Sequence, residues 1–212
     1  MDLYVFYSMV NTAMPDDKLQ HYLDQLPAGL QQDVRRYKMK ADQVRTLAGK
    51  LLLRDALSQV GLSPNLDDIK YSDFKRPFIS DNIDFNITHS GDCVACAIAY
   101  DMKLGIDVEE MKSINIDDII PVLREEELKE MKRTNASPET ILRFWTRKEA
   151  IVKASGEGLY MQPQDIYFDS ELCARSADTN WYLHELDLGS GYIAYCATNV
   201  AGAKIIARSI EY

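Results

Sequence analysis

The chain has 212 residues and a formal net charge of −9, from 33 acidic against 24 basic side chains. That length allows one large or two small domains with a real core, and 46% apolar with 27% charged residues excludes wholesale disorder. The acid excess argues against a general nucleic-acid binder, which carries a basic footprint, but leaves room for an anionic substrate where basic residues gather locally.

The N-terminus, Met1-Asp2-Leu3-Tyr4-Val5-Phe6, has no basic lead and no long apolar stretch. No apolar run approaches the roughly 20 residues that span a bilayer. A cytoplasmic chain is therefore expected, with neither membrane nor nucleic acid as partner. Residues 3–7 read as a first strand and 16–25 as a helix stopping before Pro27. Between Arg35 and Arg54 basic residues face a single acid, Asp42. A helix is expected from about Asp42, as its N-cap, to Val60, with Val44, Leu47, Ala48, Leu51, Leu52 and Leu57 on its apolar face and Gly61 as its stop. Arg45 and Thr46 would then open that helix, where free backbone N–H groups and the dipole favour phosphate. A solvated basic face is the plainer alternative.

Residues 62–82 are turn-rich and include Lys75-Arg76-Pro77-Phe78. Phe85 and Ile87 alternate with polar neighbours as in a half-buried strand. Ser90-Gly91-Asp92 is a turn signal, and 94–100 returns as an apolar strand. His89 thus sits at a strand end beside a tight turn. Cys93 and Cys96 spell CxxC, but an odd offset along a strand sends the thiols to opposite faces, so they cannot share a metal. In 104–109, Leu104, Ile106 and Val108 take one strand face, and Gly105, Asp107 and Glu109 the other. Carboxylates two apart, roughly 6.6–6.8 Å along a strand, can converge on one cation. Gly105 would leave room for a ligand to approach the backbone. Two hard oxygen donors favour magnesium over zinc; an edge pair facing solvent is the alternative.

Residues 124–130 read as a charged, solvated helix. Ser137-Pro138-Glu139 then gives an N-cap, a first-turn proline and a first-turn acid, opening a helix through Lys153. Its wheel gathers Ile141, Phe144, Trp145, Ile151 and Val152 on one face, together with Lys148. Glu149 and Lys153, spaced i and i+4, run along the edge of that face. A surface ion pair, worth about 0.3–0.5 kcal/mol, is the bland reading of those two. Strands follow at 166–168, 181–186, 192–198 and 204–210. The order strands, helix, hairpin occurs twice, and 89–97 loosely resembles 189–197. The expected architecture is α+β: a pseudo-twofold pair of similar halves, 1–103 and 104–212, each a small antiparallel sheet packed with a long helix. Spacing alone reaches a magnesium and phosphate site.

Two segments together resemble the signature of the Sfp-type 4′-phosphopantetheinyl transferases: Gly105-Ile106-Asp107-Val108-Glu109, and Trp145-Thr146-Arg147-Lys148-Glu149-Ala150-Ile151-Val152-Lys153. Arg45-Thr46-Leu47-Ala48-Gly49, Arg76-Pro77, Phe85-Asn86-Ile87-Thr88-His89-Ser90-Gly91 and Gly156-Glu157-Gly158-Leu159 extend the match across about 35–169. The length suits the monomeric, two-half type. The resemblance implies transfer of the phosphopantetheine arm of coenzyme A to a serine of an apo acyl or peptidyl carrier protein, releasing adenosine 3′,5′-bisphosphate. It implies magnesium, or manganese, on Asp107, Glu109 and Glu149, with Glu149 accepting the serine proton and Lys153 serving the departing phosphate. Coenzyme A would meet Arg45 and Thr46 at the 3′-phosphate, Arg76 and Pro77 at the adenine, and Thr88, His89 and Lys153 at the phosphates. The lysines that the family places before its Arg-Arg-Tyr-like segment fall here on Leu30 and Asp33, leaving Arg35, Arg36 or Lys40 to substitute. Residues 111–133 are the expected carrier-docking segment. A magnesium-dependent nucleotide phosphohydrolase and a non-catalytic coenzyme A or carrier-binding module are the other readings.

Overall fold

A computed structural model describes residues 1–112 and 116–212, without the side chains of Ile116 and Leu159. Residues 113–115 of the expected docking segment therefore lie outside the described residues. In chain order the elements begin with β1 (Asp2–Met9), α1 (Asp16–Leu23), α2 (Ala28–Arg35) and α3 (Lys40–Gln59). A small hairpin, β2 (Lys70–Tyr71) and β3 (Pro77–Phe78), precedes β4 (Ile83–Ser90), β5 (Cys93–Tyr100) and β6 (Leu104–Glu110). Next come α4 (Ile116–Ile119), α5 (Glu125–Thr134) and α6 (Pro138–Ser155). The chain closes with β7 (Tyr167–Phe168), β8 (Cys173–Ser176), β9 (Thr179–Leu186), β10 (Tyr192–Thr198) and β11 (Lys204–Ser209).

The strands form a sheet ordered β11-β1-β5-β4 and another ordered β6-β10-β9-β8-β7. In each, an apolar strand from a hairpin lies in the interior: β5 between β1 and β4, β10 between β6 and β9. The expected α+β doubling is thus realised, with α3 against the first sheet and α6 against the second. One strand crosses between the halves. β11, from the end of the chain, lies parallel to β1 at the edge of the first sheet.

Three apolar clusters hold these layers. Val44, Leu47, Leu51, Leu52 and Leu57 of α3 pack on Phe85, Val94, Cys96 and Ile98. Ile151 and Ala154 of α6 pack on Trp181, Ile193 and Tyr195. Between the sheets, Leu3, Val5, Cys93 and Ala95 meet Leu104, Ile106 and Val108. Cys93 and Cys96 accordingly enter different clusters, as the strand parity requires.

Several local readings are corrected. Helix α3 starts at Lys40 with Met39 as its N-cap, and Asp42 instead accepts a 2.9 Å hydrogen bond from Arg45 within the first turns. Arg45 and Thr46 therefore lie past the free N–H groups of the helix start. Gly105 does not open a path for a ligand: a Cβ there would lie 2.2 Å from the Ala150 carbonyl oxygen and 2.3 Å from the Ala154 nitrogen, so the glycine lets β6 and α6 touch backbone to backbone. Ser137 caps α6 as expected, accepting from the Thr140 N–H, and Gly156 ends it in the left-handed region at φ +79°. Of the face read from the wheel, Ile151 and Lys148 are buried as expected, while Ile141, Phe144, Trp145 and Val152 are half-buried; Leu142, Thr146, Arg147, Ala150 and Ala154 complete the buried face.

Candidate active site

The two halves meet where β4 runs beside β6. β6 is the edge of the second sheet, so one row of its backbone groups has no strand partner. Alternate polar side chains of β4 supply what is missing. Asp84 accepts from the Leu104 N–H (2.9 Å), Asn86 from Ile106 (3.0 Å) and Ser90 from Glu110 (3.0 Å). The polar positions of the sequence pattern 83–90 are thus spoken for by a neighbouring strand as well as by solvent. Thr88 falls in the same series, and its hydroxyl reaches the Asp107 carboxylate at 3.2 Å.

That ladder fixes the site. Asp107 is buried on β6, and Lys153 from the last turns of α6 brings its ammonium to 2.6 Å from Asp107 Oδ1 and 3.1 Å from the Thr88 hydroxyl. The other oxygen, Asp107 Oδ2, is buried without a hydrogen-bond partner in the described structure. Glu109 accepts from the Ser90 hydroxyl (2.9 Å) and from the Trp145 indole N–H (3.0 Å). Glu149, half-buried on α6, is close enough to sense both Asp107 and Glu109.

Electrostatics tie the carboxylates together. Burial raises the proton affinity of Asp107, against the pull of Lys153. Burial and then the Asp107 charge raise that of Glu109. For Glu149, burial and the Asp107 and Glu109 charges outweigh Lys153 and push it up as well. Three carboxyls crowded in a partly desolvated place hold their protons more tightly than in water. Among the described residues no three such side chains stand in the geometry of a formed metal centre. The donor set is nonetheless all oxygen, with one bare carboxylate oxygen and mutual repulsion, which fits a hard cation.

A cleft of about 530 Å³ adjoins this point, lined by Glu149 and Lys153 of α6, Arg76 and Pro77 of the first half, and Trp145 and Asn86. Arg76 is more committed than the sequence suggested. Its guanidinium binds the Asp84 carboxylate (2.8 Å), the Leu104 carbonyl (2.7 Å) and the Lys153 carbonyl, clamping the end of α6 to β4 and β6. Arg45 donates to the Gly91 carbonyl at 2.6 Å, holding the turn beside His89. His89 keeps an open side, yet desolvation and then the Arg45 and Lys153 charges lower its proton affinity. Thr46 is half-buried one position along α3. The proposed replacements for the missing lysines all have partners: Arg36 pairs with Asp33 (2.9 Å), Lys40 with Asp16, and Arg35 donates to Gln20 (3.2 Å).

Sequence reasoning missed Ser90 and Trp145 as hydrogen-bond donors to Glu109; the one signal was their place inside the matched segments 85–91 and 145–153. It also missed that Lys148, fully buried, is held by Glu127 (2.6 Å) and the carbonyls of Val122 and Pro163.

Comparison with known proteins places both halves in one family. Residues 103–197 match the 4′-phosphopantetheinyl transferase superfamily, and 14–100 match the 4′-phosphopantetheinyl transferase N-terminal family. The chain belongs to the 4′-phosphopantetheinyl transferases. It is similar to the 4′-phosphopantetheinyl transferase gsp of Aneurinibacillus migulanus, 28% identical over 90% of this chain and 85% of that protein. To the 4′-phosphopantetheinyl transferase Sfp of Bacillus subtilis it is 26% identical over 94% and 93% of the respective chains. To the 4′-phosphopantetheinyl transferase AcpT of Salmonella typhi it is 30% identical over 67% and 72%. It is a phosphopantetheinyl transferase of the Sfp type. No helix among the described residues is long and apolar enough to cross a membrane.

Proposed function

We propose that the cleft between the halves takes coenzyme A and the serine hydroxyl of an apo acyl or peptidyl carrier protein, and that transfer depends on Asp107, Glu149, Lys153 and a divalent metal, magnesium before manganese. The observation that carries this reading is the 2.6 Å contact between Lys153 and Asp107, which joins the two motif segments beside a buried bare carboxylate oxygen.

Asp107, Glu109 and Glu149 would hold the ion, which when bound supplies positive charge against the pyrophosphate as its P–O bond breaks. The side chains do the rest. Glu149, whose environment raises its proton affinity toward the working range of a general base, accepts the serine proton. Lys153, fixed by Asp107 and Thr88, offers its ammonium to the departing phosphate. Thr88 and His89 stand on the same strand to donate to phosphate oxygens. Arg76 and Pro77 frame the adenine, the guanidinium face remaining suited to stacking while its edge holds the clamp. Arg45 and Thr46 take the 3′-phosphate, Arg45 exchanging part of its present bonding to do so. Under this reading 1–103 supplies the nucleotide contacts and 104–212 the metal site and catalytic helix. The working form is a cytoplasmic monomer without nucleic-acid or membrane partners, and the carrier docks on 111–133.

The test is the intact mass of a purified apo acyl carrier protein incubated with the enzyme, coenzyme A and magnesium. A gain of one phosphopantetheine, lost with EDTA and reduced about 10²–10⁴-fold in rate by Glu149→Gln, is expected. A rate unaffected by both would overturn the roles given to the metal and to Glu149.

A further inference from the structure

Helix α6 borders two cavities. One face, carrying Trp145, Glu149 and Lys153, lines the cleft described above. The opposite face, carrying Thr140, Arg143, Phe144 and Arg147, lines a second cavity of about 560 Å³. Residues of the β7–β8 turn, including Glu171 and Leu172, and the sheet residues Glu185 and Tyr195 complete it.

Arg147 is the unusual member. Only 8% of it is exposed, yet among the described residues it forms no ion pair. Its two cationic neighbours on the helix are matched: Arg143 by Glu139 and Glu185, Lys148 by Glu127. Arg147 has instead two carbonyls, of Arg143 (3.1 Å) and Glu171 (2.9 Å), and aromatic faces. Its guanidinium carbon lies 4.5 Å from the Phe144 ring centre, 4.9 Å from Phe168 and 6.0 Å from Tyr195. Rings and carbonyls soften the loss of water without supplying a counter-charge. Burial lowers the proton affinity of the guanidinium, although Tyr195, Glu171 and Glu127 act against that from nearby without forming an ion pair.

We infer that this cavity binds a small monoanion, a carboxylate carried on an aromatic or aliphatic body, received by Arg147 between the rings of Phe144, Phe168 and Tyr195. The apolar walls suit the body. Glu171 and Glu185, which also line the cavity, disfavour multiply charged anions such as phosphate esters. The site is separate from the coenzyme A cleft and does not depend on the transferase mechanism.

Benzoate is the probe, followed by saturation-transfer NMR on the full chain with coenzyme A present in excess. Saturable benzoate binding is expected, with uncharged benzamide bound more than about tenfold more weakly. Arg147→Met should weaken benzoate by a similar factor while leaving coenzyme A affinity and the circular dichroism spectrum unchanged. Because Arg147 is buried and its loss could unfold the chain, Thr140→Trp, made at an exposed residue lining the cavity, provides the second variant and should block benzoate by filling it. Absence of benzoate binding would overturn the inference and leave Arg147 as a cation stacked for packing alone. Equal binding of benzamide, displacement by coenzyme A, or indifference to Thr140→Trp would overturn it too.

Discussion

Helices α3 and α6 occupy corresponding places in the two halves, and their buried faces are built on opposite principles. α3 buries Val44, Leu47, Leu51, Leu52, Leu53 and Leu57 and no charge. α6 buries Thr146, Arg147 and Lys148 among its apolar residues, and carries Glu149 and Lys153 at the cleft. The first helix is held by area removed from water, which is nondirectional and tolerant of small changes of shape. The second is held partly by partners at fixed points, which position the edge at the cleft but fail sharply if one partner is lost. The half that carries the proposed metal site is therefore the half whose core is most specific.

Four single substitutions and one double variant sharpen or break that contrast. Lys148→Met leaves Glu127 as an uncompensated buried charge and is expected to cost about 3–5 kcal/mol, read from urea unfolding. The double variant with Glu127→Leu should recover most of that loss; if it does not, the pair matters for more than charge balance. Gly105→Ala should cost about 3 kcal/mol, since its methyl meets the α6 backbone, which cannot turn aside as a side chain can. Transferase activity should fall with it, because Asp107 and Lys153 are placed by the same contact.

Glu149→Gln should act in the other direction on stability, raising that of the EDTA-treated protein by about 1 kcal/mol at neutral pH while removing activity. The sign follows from linkage. The folded proton affinity of Glu149 lies above its ordinary value of 4.5, so the ionised form is the costly one. Its penalty is absent below that ordinary range and develops as pH rises through the raised folded value. The gain from Glu149→Gln should therefore grow over that window, and a gain equally present in acid would contradict the crowding of carboxylates. The smallest effect is expected at Gly49→Ala in α3. The added methyl would sit 3.0 Å from a movable Ile87 methyl, and the helix-propensity gain offsets the squeeze, leaving a net change within about 1 kcal/mol by thermal unfolding.

Much of the site was legible because its residues lie in short segments with strong periodicity. Asp107 and Glu109 share a strand face by parity, Glu149 and Lys153 a helix edge by i, i+4 spacing, and His89 a strand end by the turn that follows it. Less legible were the residues whose roles depend on what comes alongside. Asp84, Asn86 and Ser90 look like ordinary polar positions of a half-buried strand until β6 presents its unpaired N–H groups. Arg76 looks like a free cation until the Asp84 carboxylate and two carbonyls surround it.

By itself, the sequence determined the repeated α+β plan, the interior strands β5 and β10 and the capped helix α6. These follow from hydrophobic period and capping chemistry, which act over a few residues. The tertiary structure alone decided that β11 returns to the first sheet, that Gly105 brings two backbones into contact, and that Lys148 has a carboxylate partner while Arg147 forms no ion pair among the described residues. Those outcomes depend on distances between segments far apart in the chain, and a local pattern carries no measure of such distances.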